Sequence, residues 1–524
     1  MSSAGDINVE ARFARRLALA IGALILIRLL IAALFSFSFD EALLVVKAHH
    51  RHLSYFDHPP LASLLIAAVQ GLTGSDAPIV LRLPTIALFA GTTWLVFRIG
   101  AVLFSPQAGF YGAVALSLSP LFSFYFGVFA VTDAPMLFCV ASGTLCLCHA
   151  LFLKERSPLL WWLAAGLFAG LALLSKSYSA ALVVIGMAGF LLSTPQHRYW
   201  LRRPAPYLAA AIMLITLTPI FVWNANNEWI NFLFPGGHPL QGGWTFAPLR
   251  VLTYWGTQAL VALPWIWLGL VAAVIWGLSR GPRDDRVWFL ACLAAVPLVA
   301  FTLLQLFSTQ RAGYHWAAPG YLLSFPLLGV MIERASARYW PAIQHLWRAS
   351  VVVLAVALVV VATHILTGWT RQLIPAFERR DPIIPYMAAW DGLQAAIDRH
   401  RSNARGDDFV VGMRWEHCAK IEVHIRMAAP VLCLTPFPEI FAYLVDPRPL
   451  LGRNAIIVVA QDGPNAAELL SAYFERVEPL ERLTITHFGT RALVLEIYRG
   501  HNLRGIYAWP YGPYRALARL PASN

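Results

Sequence analysis

The chain is short of charge. Asp, Glu, Lys and Arg make up 13% of its 524 residues, about half their share in an average soluble domain. Hydrophobic residues fill 58%, more apolar surface than a soluble core can hide, so the bilayer must act as part of the solvent. Cysteine is scarce as well. Of six, Cys139, Cys146, Cys148 and Cys292 lie in apolar runs, where a small buried hydrophobe is the plain reading. Cys418 and Cys433 fall later, in a compartment where disulfides persist, and both a bridge and two thiols fit the sequence. Repeats and low-complexity segments are missing. The last third of the chain has no nucleophile motif, no Gly-rich phosphate loop and no paired metal ligands. A cleavable signal is also lacking, because the first apolar run is too long for one and has no small-residue cleavage site after it. The net charge of +12 does not imply nucleic acid, since the cations stand in short loops between apolar runs, where orientation signals belong.

What is there is a succession of about eleven such runs, at 17–37, 79–103, 107–127, 134–153, 159–174, 177–193, 206–223, 251–278, 286–307, 315–333 and 349–367. Arg12, Arg15 and Arg16 precede the first. Lys154 and Arg156 follow the fourth, Arg198, Arg202 and Arg203 the sixth, and Arg280, Arg283 and Arg286 flank the turn after the eighth. Arg334, Arg338 and Arg348 separate the last two. With this count all of them share one side, which the positive-inside rule makes cytoplasmic. The expected protein is a polytopic α-helical membrane protein with a membrane domain over 1–368, including an outer loop at 38–78. A soluble α/β domain over 369–524 follows outside the cytoplasm. In that domain 390–400 and 466–474 read as helices, and 409–413, 431–434, 455–460 and 492–498 as short strands.

Carboxylates at a membrane interface are costly unless paired or used. The outer loop opens with Asp40 and Glu41, passes the basic stretch Lys47 to His52, and reaches Tyr55-Phe56-Asp57-His58-Pro59-Pro60. Asp133 ends the outer side of the third run. Arg82, Lys176, Arg311 and His315 lie on the same face of the membrane. A sugar carried on a polyprenyl phosphate needs such a set. Its phosphate leaves without a general acid if cations stabilise the growing charge, while the acceptor hydroxyl needs a carboxylate to take its proton. Attack opposite the leaving group inverts the anomeric carbon. Each residue also has a plainer reading. Asp40 and Asp133 suit helix N-termini, Lys176 can snorkel, and Asp57 to Pro60 can be a rigid turn. The basic stretch suits lipid headgroups or an anionic acceptor.

The order Asp40-Glu41, Tyr55-Phe56-Asp57-His58-Pro59-Pro60-Leu61, Arg82-Leu83-Pro84 and Thr132-Asp133-Ala134-Pro135 resembles the membrane-embedded GT-C glycosyltransferases. The likeness is to the bacterial branch related to protein O-mannosyltransferases and lipid A aminoarabinose transferases (glycosyltransferase family 39-like). Gly170 to Lys176 and His315 to Tyr321 extend it to about residue 330, and it rests on order, spacing and sidedness rather than on any one motif. The resemblance implies a GT-C fold, Asp40 as catalytic base with Glu41 beside it, and Asp133 as a second acidic position. It implies Lys176 as a phosphate contact; Arg82, His58, Arg311 and His315 are further candidates there, and Asp57 and Tyr55 are wider site candidates. Where the family continues into aromatics after Asp-Glu, this chain has Ala42-Leu43-Leu44-Val45-Val46, which leaves the sugar and acceptor open.

The expected activity is inverting transfer of one sugar from a polyprenyl-phosphate donor to an envelope glycolipid, glycan or protein outside the cytoplasm. The partners are that donor, the acceptor and the lipid bilayer of a bacterial inner membrane, with no nucleic acid. No cofactor is required by the residues, although Asp40, Glu41 and His58 could hold a divalent metal ion with the phosphate. Lys176 and Arg82 could equally carry the charge alone. A polyprenyl-linked sugar or lipid flippase is the alternative. Against it stand the absence of an inverted repeat and of a charge at mid-membrane.

Overall fold

The structure is a computed structural model and describes residues 4–153, 157–232, 244–308, 312–374, 381, 383–401, 409–435, 438–460, 470–487 and 489–506. The chain divides into two compact units, Met1–Ala33 with His58–Val356, and Leu34–Asp57 with Ala357–Asn524.

The first unit is helical. Among the described residues of the chain, seven helices are long and apolar enough to cross a membrane, or nine if each of two bent pairs is one span. This differs from the eleven runs of the sequence for local reasons. The run at 251–278 is cut into Pro248–Ala262 and Pro264–Arg280 at Leu263, whose φ of 73° precedes a proline that cannot continue a helix. Ser177–Ser193 stays a short apolar helix. The last two runs lie in Ala318–Thr367, two helices that join across a kink at Tyr339, where the backbone is non-helical two residues before Pro341. Proline also bends the second half of the third run, where Pro106–Leu118 turns by 77° into Leu121–Val128 after Pro120.

Proline starts the helices Pro78–Leu103, Pro106–Leu118, Pro158–Ser175, Pro204–Thr216 and Pro264–Arg280, where its missing N–H costs nothing. Small residues then let helices approach closely, as membrane packing requires. A Cβ on Gly100 would lie 2.5 Å from the Gly109 Cα, so Pro78–Leu103 and Pro106–Leu118 touch backbone to backbone there. The buried core of this unit runs through Phe89, Phe97, Leu116, Phe122, Phe289 and Leu322.

The second unit carries a five-stranded sheet in the order β2-β1-β3-β5-β4. The strands are β1 Phe409–Gly412, β2 Val431–Cys433, β3 Ala455–Ala460, β4 Phe474–His487 and β5 Thr490–Leu503. β1 pairs parallel with β2 and β3, and β5 antiparallel with β3 and β4. Every residue of β1, β2 and β3 is buried, the mark of strands covered on both faces. Helix Trp415–His424 makes the crossover from β1 to β2, and helix Phe39–His50 packs against it. The expected helix at 466–474 lies largely outside the described residues, and Phe474 opens β4 instead. Cys418 and Cys433 are free buried thiols in hydrogen-bond contact rather than a disulfide.

Candidate active-site residues

In the second unit the helix that bears Asp40 begins with a capping box. Ser38 Oγ accepts the Glu41 N–H at 3.2 Å, and Glu41 Oε2 accepts the Ser38 N–H at 2.9 Å. Glu41 is fully buried, and this cap accounts for one of its oxygens. Asp40, one position earlier, is half-buried and projects from the first turn. Its Oδ2 accepts a hydrogen bond from Tyr386 Oη at 2.6 Å. Burial pushes the Asp40 carboxyl above the usual carboxylate range. The Tyr386 hydroxyl and Lys47 pull it down, while Glu41 and Asp57 push it up. A carboxylate made more basic in this way is suited to accept a proton from a hydroxyl.

Seven residues along, Lys47 is 1% exposed and donates to both oxygens of Asp57, at 2.7 and 2.8 Å. This corrects the reading of Lys47 as a headgroup contact: it stands on the buried face of the helix, among Val45, Val46 and Ala48. Tyr55 Oη donates to the Lys47 carbonyl at 2.5 Å and accepts the His52 N–H at 3.1 Å. Tyr55 therefore fixes the turn after the helix. Glu439, in the left-handed region at φ 50°, has its carboxyl pushed up to about 8 by burial and by Asp57 and Glu416.

In the first unit, four of the expected residues stand together. Lys176 Nζ donates to both oxygens of Asp133 at 2.8 Å, with both side chains buried. The Thr132 carbonyl accepts from Ser175 Oγ at 2.5 Å, so the backbones beside the pair are also tied. The Lys176 ammonium lies 5.7 Å from the Tyr178 ring. Tyr178 in turn meets His58 at 6.3 Å and Trp316 at 4.9 Å between ring centroids. His315 is held well below its usual pKa by burial and then by Lys176, so its imidazole is neutral. Its buried Nδ1 has no hydrogen-bond partner among the described residues.

Arg82 is fully buried, donates to the Ala32 carbonyl at 2.9 Å and lies over the Phe129 ring at 5.2 Å. Phe129 begins the segment that leads to Asp133. Arg311 lies outside the described residues. Among the described residues no group of three or more His, Cys, Asp or Glu side chains is placed to hold a metal ion.

Sequence reasoning missed Tyr386, Glu439 and Lys420. Their positions relative to Asp40 and Asp57 depend on pairings several hundred residues apart. The one local signal is Ile384-Pro385-Tyr386-Met387, a short turn of helix with proline in its first turn.

Residues 57–223 match the family model of the dolichyl-phosphate-mannose-protein mannosyltransferases. A lipid A galacturonosyltransferase, RgtD, of Rhizobium johnstonii is 28% identical over 290 residues. The match covers 55% of this chain and 58% of that relative, so the chain spans little more than half of its length. Crystal structures of ArnT from Cupriavidus metallidurans share the fold, with a TM-score of 0.65 for the apo form and 0.63 for the form bound to undecaprenyl phosphate. Identity is 14% and 15%, and each comparison covers 92% of this chain and 97% of the other. The described helices are those of a multi-pass membrane protein, and the fold is the one seen in ArnT.

Proposed function

We propose that the protein is an inverting glycosyltransferase that moves a single sugar from a polyprenyl-phosphate donor to an acceptor outside the cytoplasm. One observation carries the reading. Asp40 is a half-buried carboxylate of raised basicity, with one oxygen held by a phenol, in a chain whose fold and family match are those of this enzyme class. The acceptor hydroxyl oxygen attacks the anomeric carbon, its proton passes to Asp40, and the bond to phosphate oxygen breaks with its electron pair left on the phosphate.

For the leaving phosphate we assign residues of the first unit. His58 and the neutral His315 supply N–H donors, and Arg82 supplies a fixed positive field. Lys176 enters as half of its pair with Asp133, which tempers its charge. A divalent ion on the phosphate is the other way to carry that charge, and unchanged turnover in chelator would remove it. RgtD is named for lipid A, which favours an envelope glycolipid over protein as acceptor. We assign the membrane orientation with the N-terminus in the cytoplasm and the second unit outside, following the arginine pattern of the loops.

The test uses purified protein with a panel of short-chain polyprenyl-phosphate sugars and lipid A, following free polyprenyl phosphate by mass spectrometry. Acceptor-dependent release from one donor, abolished in Asp40→Asn, is the expected result. Full release in Asp40→Asn would refute the role of Asp40.

A further inference from the structure

The Asp40–Tyr386 hydrogen bond is not an isolated contact. Lys420, fully buried, donates to the Phe37 carbonyl just ahead of the Asp40 helix. It also donates at 2.8 Å to the Ala388 carbonyl, just past the short Ile384–Met387 helix. Its ammonium lies 5.6 Å from the Phe39 ring, and Phe39 meets Tyr386 edge-on at 5.2 Å and 88°. His417 closes the other side of Phe39 at 5.9 Å. A buried ammonium that needs its carbonyl acceptors thus ties together the two backbone segments that present Asp40 and Tyr386. The Ser38 side chain also acts on the same phenol. Asp40 Oδ1 has no hydrogen-bond partner among the described residues.

We propose that Tyr386 is a positioning residue for the transfer reaction: its hydroxyl holds Oδ2 of Asp40, leaving Oδ1 as the oxygen that takes the acceptor proton. The proposal rests on Asp40 being the base. A phenol suits this role better than a cation would. It favours the ionised carboxylate by one hydrogen bond without the full Coulombic pull of an arginine, so the base keeps its basicity. The other charged groups acting on Asp40 are Glu41 and Lys47 on its own helix and Asp57 from the following turn. Two of these three oppose ionisation, so without the phenol Asp40 binds its proton at higher pH.

The test compares wild type, Tyr386→Phe and Asp40→Asn in detergent with two readouts. The first is labelling of the Asp40 peptide by a hydrophobic carbodiimide, which reacts with the protonated carboxyl, across a pH series read by mass spectrometry. The second is the pH profile of kcat/KM for polyprenyl-phosphate release. In Tyr386→Phe the labelling midpoint and the acid limb of the profile are expected to move together to higher pH. The shift should be roughly one to two units, the size of a hydrogen bond to a charged group. Activity should return at alkaline pH, with the melting temperature nearly unchanged. An unmoved midpoint overturns the proposal. So does an equal loss of rate at every pH together with a lower melting temperature, which marks a merely structural tyrosine. Activity in Asp40→Asn would remove the base, and the proposal with it. An inactive Asp40→Asn beside an unmoved Tyr386→Phe limb removes Tyr386 alone.

Discussion

Asp133→Asn should destabilise the first unit far more than an ordinary surface change. Lys176 is 1% exposed, and the bonds it is seen to make with its ammonium go to the two Asp133 oxygens at 2.8 Å. Removing the carboxylate charge leaves an ammonium buried without its counter-charge, which typically costs about 3–5 kcal/mol. A melting temperature falls by about 2 °C per kcal/mol in a domain of this size, so the loss should be of the order of 6–10 °C. Lys176→Met should cost a similar amount by stranding Asp133. The double variant Asp133→Asn/Lys176→Met carries neither charge and should recover most of the loss, because replacing a whole buried pair is often close to neutral. Intrinsic fluorescence of the nineteen tryptophans follows unfolding in detergent, and the four proteins form a double-mutant cycle. If the singles cost less than about 1 kcal/mol each and the double is their sum, the pair is not a mutual requirement. Lys176 would then be a cation held for an anion, with Asp133 incidental to it.

Three further outcomes follow from the second unit. Asp40→Asn should lower transfer by about two to four orders of magnitude, the range of a lost general base, with the melting temperature kept. Lys420→Met should destabilise the second unit by about 2–4 kcal/mol, since it strands two buried carbonyls, and limited proteolysis between Ala388 and Trp415 should report it. Glu439→Gln should act through pH. With a folded pKa of about 8 against about 4.3 unfolded, the fold keeps a proton that the unfolded chain releases, so wild-type stability falls as pH rises from about 4 to 8. The shift bounds the loss at about 5 kcal/mol, and partial exposure of the side chain reduces it to about 2–3. The glutamine variant should therefore melt higher than wild type at pH 8–9 and equally near pH 4. Parallel curves at all pH values would mean that Glu439 is ionised in the fold.

Much of the architecture was legible because the physics that sets it is local. An apolar run of membrane length has few options, and a proline near its end reads directly as a helix start. Strands β1, β2 and β3 were legible because burial on both faces leaves continuous apolar runs. β4 was not. Its sequence Phe-Glu-Arg-Val-Glu-Pro-Leu-Glu-Arg-Leu is that of a sheet edge, where charge and a proline at a register shift discourage further pairing. Those same features erase the alternation that marks a strand. The partition of the apolar runs was also lost, since one backbone angle at Leu263 decides whether a run is one helix or two.

The residues of the site divide along the same line. Asp40, Asp133 and Lys176 stand out in sequence because a charge at the edge of an apolar run is costly and so needs a purpose. The cost itself does not say whether that purpose is a partner or a substrate. For Lys176 the structure supplies the partner, Asp133, and for Lys47 it supplies Asp57. For Asp40 the hydrogen-bond partner is a neutral phenol, which holds a carboxylate in place without cancelling its charge. That difference separates the three, and it could not be read from the chain, because Tyr386 lies 346 residues from Asp40 in a stretch with no apolar period. A charge matched by an opposite charge has met its electrostatic need within the fold. A charge whose hydrogen bond goes to a dipole keeps reactivity, and in the second unit Asp40 is such a case.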